Sequence, residues 1–301
     1  MQIIVEIGTD EQKSLINHEF ELITPIIKSY EELKNLDNII IAQDFDKTVN
    51  ELTSQTDYNS IREEVNHVAY AKVIRNNDNK TNIVFSKLLY TDNKDQIIRF
   101  YLIIHELFHI ITYDKYQKVI HKNDKLNNLL NFLNIIYDEY YVNRTALSFT
   151  NDIITECKIE SNLFNNFVHS IPNGHFNNIC SKSTHDKILK LNKDVICKNI
   201  TLEILLKSLY PIIEGLSKDL VYLYSYIDSF QGIIQYSYDF NKIFFINNNS
   251  ISLIDLFREK YEINDFNMIP SIEIANNYFS NFGIKFEDTI AGLYIHYLRI
   301  F

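Results

Sequence analysis

Short apolar runs punctuate the first ninety residues. Ile3–Ile7, Ile39–Ala42, His67–Ile74 and Asn82–Ser86 are rich in β-branched and aromatic side chains, which is strand composition. The last two flank Arg75–Thr81, a stretch with turn chemistry, so a hairpin is predicted there. Past residue 90 the period changes to a helical one. Asp92, with Asp95 three residues on, puts acidic groups at the positive end of a helix predicted over Lys94–Tyr113. A polar break, Asp114–Lys125, precedes a second helix over Leu126–Phe149. Further helices are predicted over Leu202–Leu216 (with Pro211 inside), Lys218–Phe230 and Ile251–Tyr261, and Pro172-Asn-Gly174 reads as a loop. No internal repeat occurs, and the softest boundary lies near residue 150. The expected fold class is α+β. A small mixed sheet packs on the helix over 94–113 within residues 1–150, and residues 151–301 form a mainly helical C-terminal lobe.

Composition and charge narrow the classes. With 301 residues, nearly half of them apolar, the chain has ample material for a buried core. The abundance of Asn, Ile, Lys and Tyr, with little Gly or Pro, is a genomic bias and carries no mechanism. A formal net charge of −10 argues against nucleic acid as the main ligand. Lys182–Lys193, with His185 inside it, reads as a solvated lysine-rich loop and not as a phosphate-binding patch. Cys157, Cys180 and Cys197 are odd in number and form no CxxC pair, which fits thiols in a reducing compartment. The N-terminus lacks a basic segment followed by a long apolar one, so no secretory signal is predicted. The apolar run Ile97–Ile111 is too short for a membrane span and contains Arg99, His105, Glu106 and His109. A cytoplasmic protein is the expectation, with neither membrane nor nucleic acid as partner.

The chemistry concentrates in that same run. Apolar residues from Ile97 to Ile111 occupy nearly every angular position, so the helix is expected to be buried on all sides. His105, Glu106 and His109 interrupt it. Buried polar groups are costly unless compensated, a carboxylate most of all, and one cation would compensate all three. His105 and His109 lie four residues apart, with Cβ atoms roughly 5–6 Å apart on one face. Both imidazoles can then reach one zinc at about 2.0–2.1 Å. Glu106 leans aside, where it can reach a metal-bound water as a base without ligating the ion. The run His105-Glu106-Leu107-Phe108-His109 is the HExxH arrangement of zinc peptidases. Its bland alternative is a pair of satisfied core histidines with a surface glutamate.

A catalytic zinc takes three protein ligands and one open position. The metzincin continuation fails, because Thr112 and Lys115 stand where a glycine and a third histidine are required. In the second helix Glu139 and Asn143 share a face at i and i+4. The carboxylate would be the third ligand and the amide would accept a ligand histidine's ring N–H. Asp138 is the rival, Asp152 and Glu156 are more distant alternatives, and a solvated acidic pair is the bland reading. A donor for the oxyanion is also needed; Tyr140, Tyr141, His175 and His185 qualify by residue type.

This combination resembles the gluzincins and is most similar to the ImmA/IrrE-like peptidases. Their second motif runs Glu, Asp or Asn four residues on, and a small residue three further, as Glu139, Asn143 and Ala146 do here. The resemblance covers about residues 65–150, and no DNA-binding module is recognisable. It implies a zinc-dependent endopeptidase acting on a peptide or protein, a regulatory protein among the substrates the family suggests, with an edge strand (Val84–Ser86, or the facing His67–Ala71) receiving the substrate as an added strand. The alternatives are a non-hydrolytic metal-binding sensor on the same scaffold and a metal-free helical interaction protein.

Overall fold

In the computed structural model, residues 1–62, 67–75, 80–91, 95–116, 124–157, 161–231, 234–240, 246–289 and 292–298 are described. The predicted N-cap Asp92, the hairpin tip at 76–79 and most of the polar break, 117–123, lie outside them. Two compact bodies are distinguishable: Met1–Asp114 with Thr145–Val168, and Lys115–Arg144 with His169–Phe301.

The first body is built on a four-stranded sheet. After β1 (Gln2–Val5) comes α1 (Asp10–Ser29), opened by a capping box in which Gln12 Oε1 accepts from the Thr9 N–H at 3.0 Å. Then follow β2 (Leu36–Ala42) and α2 (Phe45–Thr53), the latter capped by Asp44, which accepts from the Lys47 N–H at 3.1 Å. A two-stranded ribbon, β3 (Ile61–Arg62) and β4 (His67–Val68), precedes β5 (Ala71–Arg75) and β6 (Thr81–Ser86). The sheet order is β1-β2-β6-β5, parallel except for β5 against β6. Ile40, Ala42, Ile74 and Val84 pack with Phe45 and Val49 of α2, while Ile39, Ile41, Ile83 and Phe85, of opposite parity, are fully buried too. Burial on both faces is why Ile39–Ala42 of β2 and Ile83–Phe85 of β6 are continuous apolar runs.

The predicted hairpin is present, with Arg75 opposite Thr81. The predicted strand over His67–Ile74, however, is two strands: β4 pairs with β3, and only β5 joins the main sheet. This changes the edge assignment. β6 is paired on both sides, so Val84–Ser86 cannot receive an added strand, and among the described residues β5 holds one edge and β1 the other.

A single turn, α3 (Leu88–Thr91), leads to α4 (Gln96–Thr112), in which no residue is exposed, but where the pattern predicts burial on all sides Ile98, Leu102, Glu106 and His109 form a half-buried stripe. Two arginines fix it. Arg99 reaches the fully buried Glu19 of α1 through Nε, 3.1 Å from both carboxylate oxygens, and through Nη2 at 2.5 Å. At the other end Arg75 Nη2 donates to the Ile110 carbonyl at 3.1 Å, and its guanidinium lies 3.5 Å over the Tyr113 ring. That satisfies a carbonyl near the helix end that has no intrahelical partner to spare.

α5 (Lys125–Cys157) and α6 (Ser161–Ile179) pass from one body to the other. α5 runs eight residues beyond the predicted end at Phe149, because Ile153 and Ile154 prolong its buried face. α6 runs straight through Pro172-Asn-Gly174, which was predicted as a loop. Helical proline and glycine cost about 3 and about 1 kcal/mol relative to alanine, and packing on both sides offsets this: Phe167 meets Tyr101 in the first body, and Phe176 stacks on Tyr238 in the second.

The second body holds the larger core, where the early turns of α5 contribute Phe132, Leu133, Ile136 and Tyr137. α7 (Lys182–Ile196), capped by Ser181, replaces the lysine-rich loop; its lysines are exposed, and Ile188 and Asn192 face inward. α8 (Leu202–Ser229) is one helix where two were predicted, and Pro211 and Gly215 do not break it. α9 (Asn248–Glu262) and α10 (Ile272–Ser280) complete the helices. Asp228 of α8 draws three elements together, receiving Tyr140 Oη at 2.7 Å and Arg258 Nη2 at 2.8 Å. A final antiparallel pair, β7 (Ile284–Thr289) and β8 (Gly292–Tyr297), was not predicted. The fold is thus α+β, with small sheets and a mainly helical C-terminal region. No helix among the described residues is long and apolar enough to cross a membrane.

Candidate metal centre

α4 presents its polar residues as the four-residue spacing requires. His105 is 6 % exposed, while Glu106 and His109 are half-buried. The two imidazoles converge, with His105 Nε2 and His109 Nε2 3.0 Å apart and the rings nearly perpendicular at 85°. Tyr101, one turn earlier, packs its ring 5.8 Å from that of His105 and restricts its orientation.

α5 supplies the carboxylate. It is one unbroken helix whose turns from Thr145 onward lie in the first body, where Phe149 packs 5.3 Å from Phe108 of α4. Glu139 is two turns earlier on the same rod. Its carboxylate and the ring nitrogens of His105 and His109 supply one ligand atom each, all within 4.8 Å of one another.

The set could hold a metal ion. Two donors bonded at about 2.0–2.1 Å in tetrahedral geometry stand about 3.3–3.4 Å apart, a few tenths of an ångström wider than the imidazole pair observed. Two imidazoles with one carboxylate is also a donor set suited to zinc, which accepts nitrogen and oxygen together.

The surroundings of Glu139 come from α8. Tyr222 Oη donates to Glu139 Oε2 at 2.5 Å, and Lys218 Nζ lies 3.2 Å from Oε1. The same ammonium is 3.2 Å from Glu214 Oε1. Burial pulls the Lys218 pKa down, but Glu139 and then Glu214 outweigh it, so the ammonium is held above its ordinary range. Behind Tyr222 stands His175, with ring centroids 5.1 Å apart, anchored by Asp219 Oδ1 at 2.8 Å from its Nδ1.

The other sequence candidates lie as follows. Asp138 is not in the convergent group; it sits beside Tyr116, whose phenol is pushed well up by burial first and by the Asp138 charge second. Asp152 is exposed and outside the group as well, and the Glu156 side chain is not among those described. Asn143 is fully buried, and its Nδ2 faces the Tyr222 carbonyl at 3.5 Å. Of the residues proposed as oxyanion donors, Tyr140 donates to Asp228, Tyr141 donates to Asn264 Oδ1 at 3.0 Å, and His185 Nε2 lies 3.2 Å from the Ile179 carbonyl. His175 reaches the group around Glu139 through Tyr222.

Sequence reasoning missed Glu214, Lys218 and Tyr222. They recur at i, i+4 and i+8, a polar stripe along one face of α8. Splitting α8 between residues 216 and 218 hid that spacing. No protein-family model, no curated protein and no solved structure matches the chain.

Proposed function

We propose that this chain is a zinc-dependent endopeptidase of the gluzincin kind, with His105, His109 and Glu139 holding the ion and Glu106 as its base. The observation that carries this is the convergence of one carboxylate and two imidazoles, with a second carboxylate one residue along the same helix. A divalent ion bound there would supply Lewis-acid polarisation of the scissile carbonyl and a lowered pKa for the attacking water.

The chain's own residues do the rest. Glu106 accepts a proton from water as the oxygen–carbon bond forms, and it delivers that proton to the leaving nitrogen as the carbon–nitrogen bond breaks. Tyr101 limits the rotation of His105, and Tyr222 fixes Glu139. β5, at the sheet edge, offers unpaired backbone groups to an extended peptide among the described residues.

One observation favours a second reading, a metal-responsive binding protein that does not hydrolyse: Glu139 already has an ammonium and a hydroxyl on its two oxygens. Digestion of a peptide library by untagged protein, with a chelator control, separates the two. Chelator-sensitive cleavage that vanishes in Glu106→Gln while the metal stays bound supports the peptidase. Metal binding without any cleavage supports the second reading.

A further inference from the structure

Lys218 has two carboxylates at equal distance, Glu139 and Glu214, each 3.2 Å from its Nζ. Glu214 is one helical turn away on the same face of α8, so reaching it fully needs rotation of a flexible stem and no backbone movement. Glu139 is the more enclosed partner, its side chain 13 % exposed against 29 % for Glu214. Tyr222, a neutral donor, holds the other Glu139 oxygen.

We propose that Lys218 is the resident counter-cation of Glu139 and moves onto Glu214 when a divalent ion takes the carboxylate. This rests on the metal-site reading above. In the ion-free protein the ammonium compensates a partly buried carboxylate that would otherwise be costly. When an ion arrives, two cations compete for one carboxylate in a partly dehydrated setting, where like charges repel strongly. Glu214 makes the exchange feasible, because the displaced ammonium keeps a partner. Occupancy is then set by competition between the ion and the chain's own lysine, and the site discharges its metal more readily than its donor set alone would dictate.

The test is zinc affinity, measured by competition with a chromophoric chelator, for the full chain and three variants. Lys218→Met removes the competitor and binds zinc about tenfold tighter or more, the scale of deleting one like charge at such distances. Glu214→Gln removes the alternative partner and binds zinc more weakly than the natural chain. In the double variant the Glu214 substitution has no further effect, so its affinity equals that of Lys218→Met within about twofold.

A purely structural lysine does not give opposite signs for the two single changes. Unchanged or weaker binding in Lys218→Met overturns the proposal. So does unchanged or tighter binding in Glu214→Gln, or a Glu214 effect that persists without the lysine and is therefore plain electrostatics. Should Lys218→Met fail to fold, Glu214→Gln, at a partly exposed position, decides alone by the same criterion. A natural chain that binds no zinc overturns both this inference and the metal-site reading. A natural chain that binds zinc while the variants break the pattern overturns only the inference.

Discussion

Glu19 and Glu139 are both glutamates withdrawn from water beside a cation, yet they are held in different ways. Glu19 is fully buried and gripped by the Arg99 guanidinium, which reaches both carboxylate oxygens. Such a fork matches carboxylate geometry and leaves the group committed. Glu139 receives a hydroxyl on one oxygen and an ammonium on the other, and the ammonium is shared with Glu214. A planar fork locks a carboxylate into the scaffold, whereas a shared point charge leaves it able to change partners. The first arrangement positions α4 against α1; the second suits a ligand. Half-buried Glu106, on α4 itself, is the third member of the comparison and is assigned to proton transfer.

The largest effects should separate these three carboxylates by what each variant loses. Glu106→Gln should lower turnover by about 10²–10⁴-fold, the usual contribution of a general base, while metal content and melting temperature hold; assays paired with elemental analysis check this. Glu19→Ala strands Arg99 and should cost about 3–5 kcal/mol of stability, read by denaturant unfolding, with zinc affinity of the folded fraction unchanged. An altered affinity there would break the contrast. Glu139→Gln should reverse that profile, with a smaller loss of stability and a zinc affinity weaker by at least the roughly 10–100-fold that loss of an outer hydrogen-bond partner costs.

Smaller effects sharpen the picture. Tyr222→Phe should weaken zinc binding by about 10-fold, within the range for groups that orient a ligand, and equilibrium titration would show it. At the low end stands the ion pair of Lys125 with Glu273, which ties the start of α5 to α10. The Lys125 ammonium hydrogen-bonds the Glu273 carboxylate and holds it below the usual range. Its folded pKa is therefore depressed, so its contribution is present above the unfolded value, about 4.3, and is lost as pH falls through the folded one. Glu273→Gln should remove that acid-side dependence with a change of about 0.5 kcal/mol or less at neutral pH.

The parts that sequence made legible are those where one local pattern decides. The absence of exposed residues in α4, the apolar runs Ile39–Ala42 and Ile83–Phe85, and the four-residue spacing of His105 and His109 each follow from a single period. Where tertiary packing overrules a local signal, the reading went astray: α6 continues through Pro172, and α8 through Pro211 and Gly215, because long buried faces outweigh their propensity costs. The pair β7 and β8 was missed: β7 alternates Ile284 and Phe286 with Lys285 and Glu287, whereas β8 is apolar or aromatic on both faces and carries no clear alternation. The partners of Glu139 were out of reach for a further reason. Lys218 and Tyr222 stand about eighty positions away, and nothing but the folded chain brings them to the carboxylate.

Zinc content of untagged protein, purified in parallel as the natural chain, His105→Ala and Glu139→Gln, tests the central claim most directly. The account predicts about one zinc per natural chain, none retained by His105→Ala, and a deficit in Glu139→Gln that excess zinc restores only in part. A natural chain without metal, or equal zinc in all three, would contradict it.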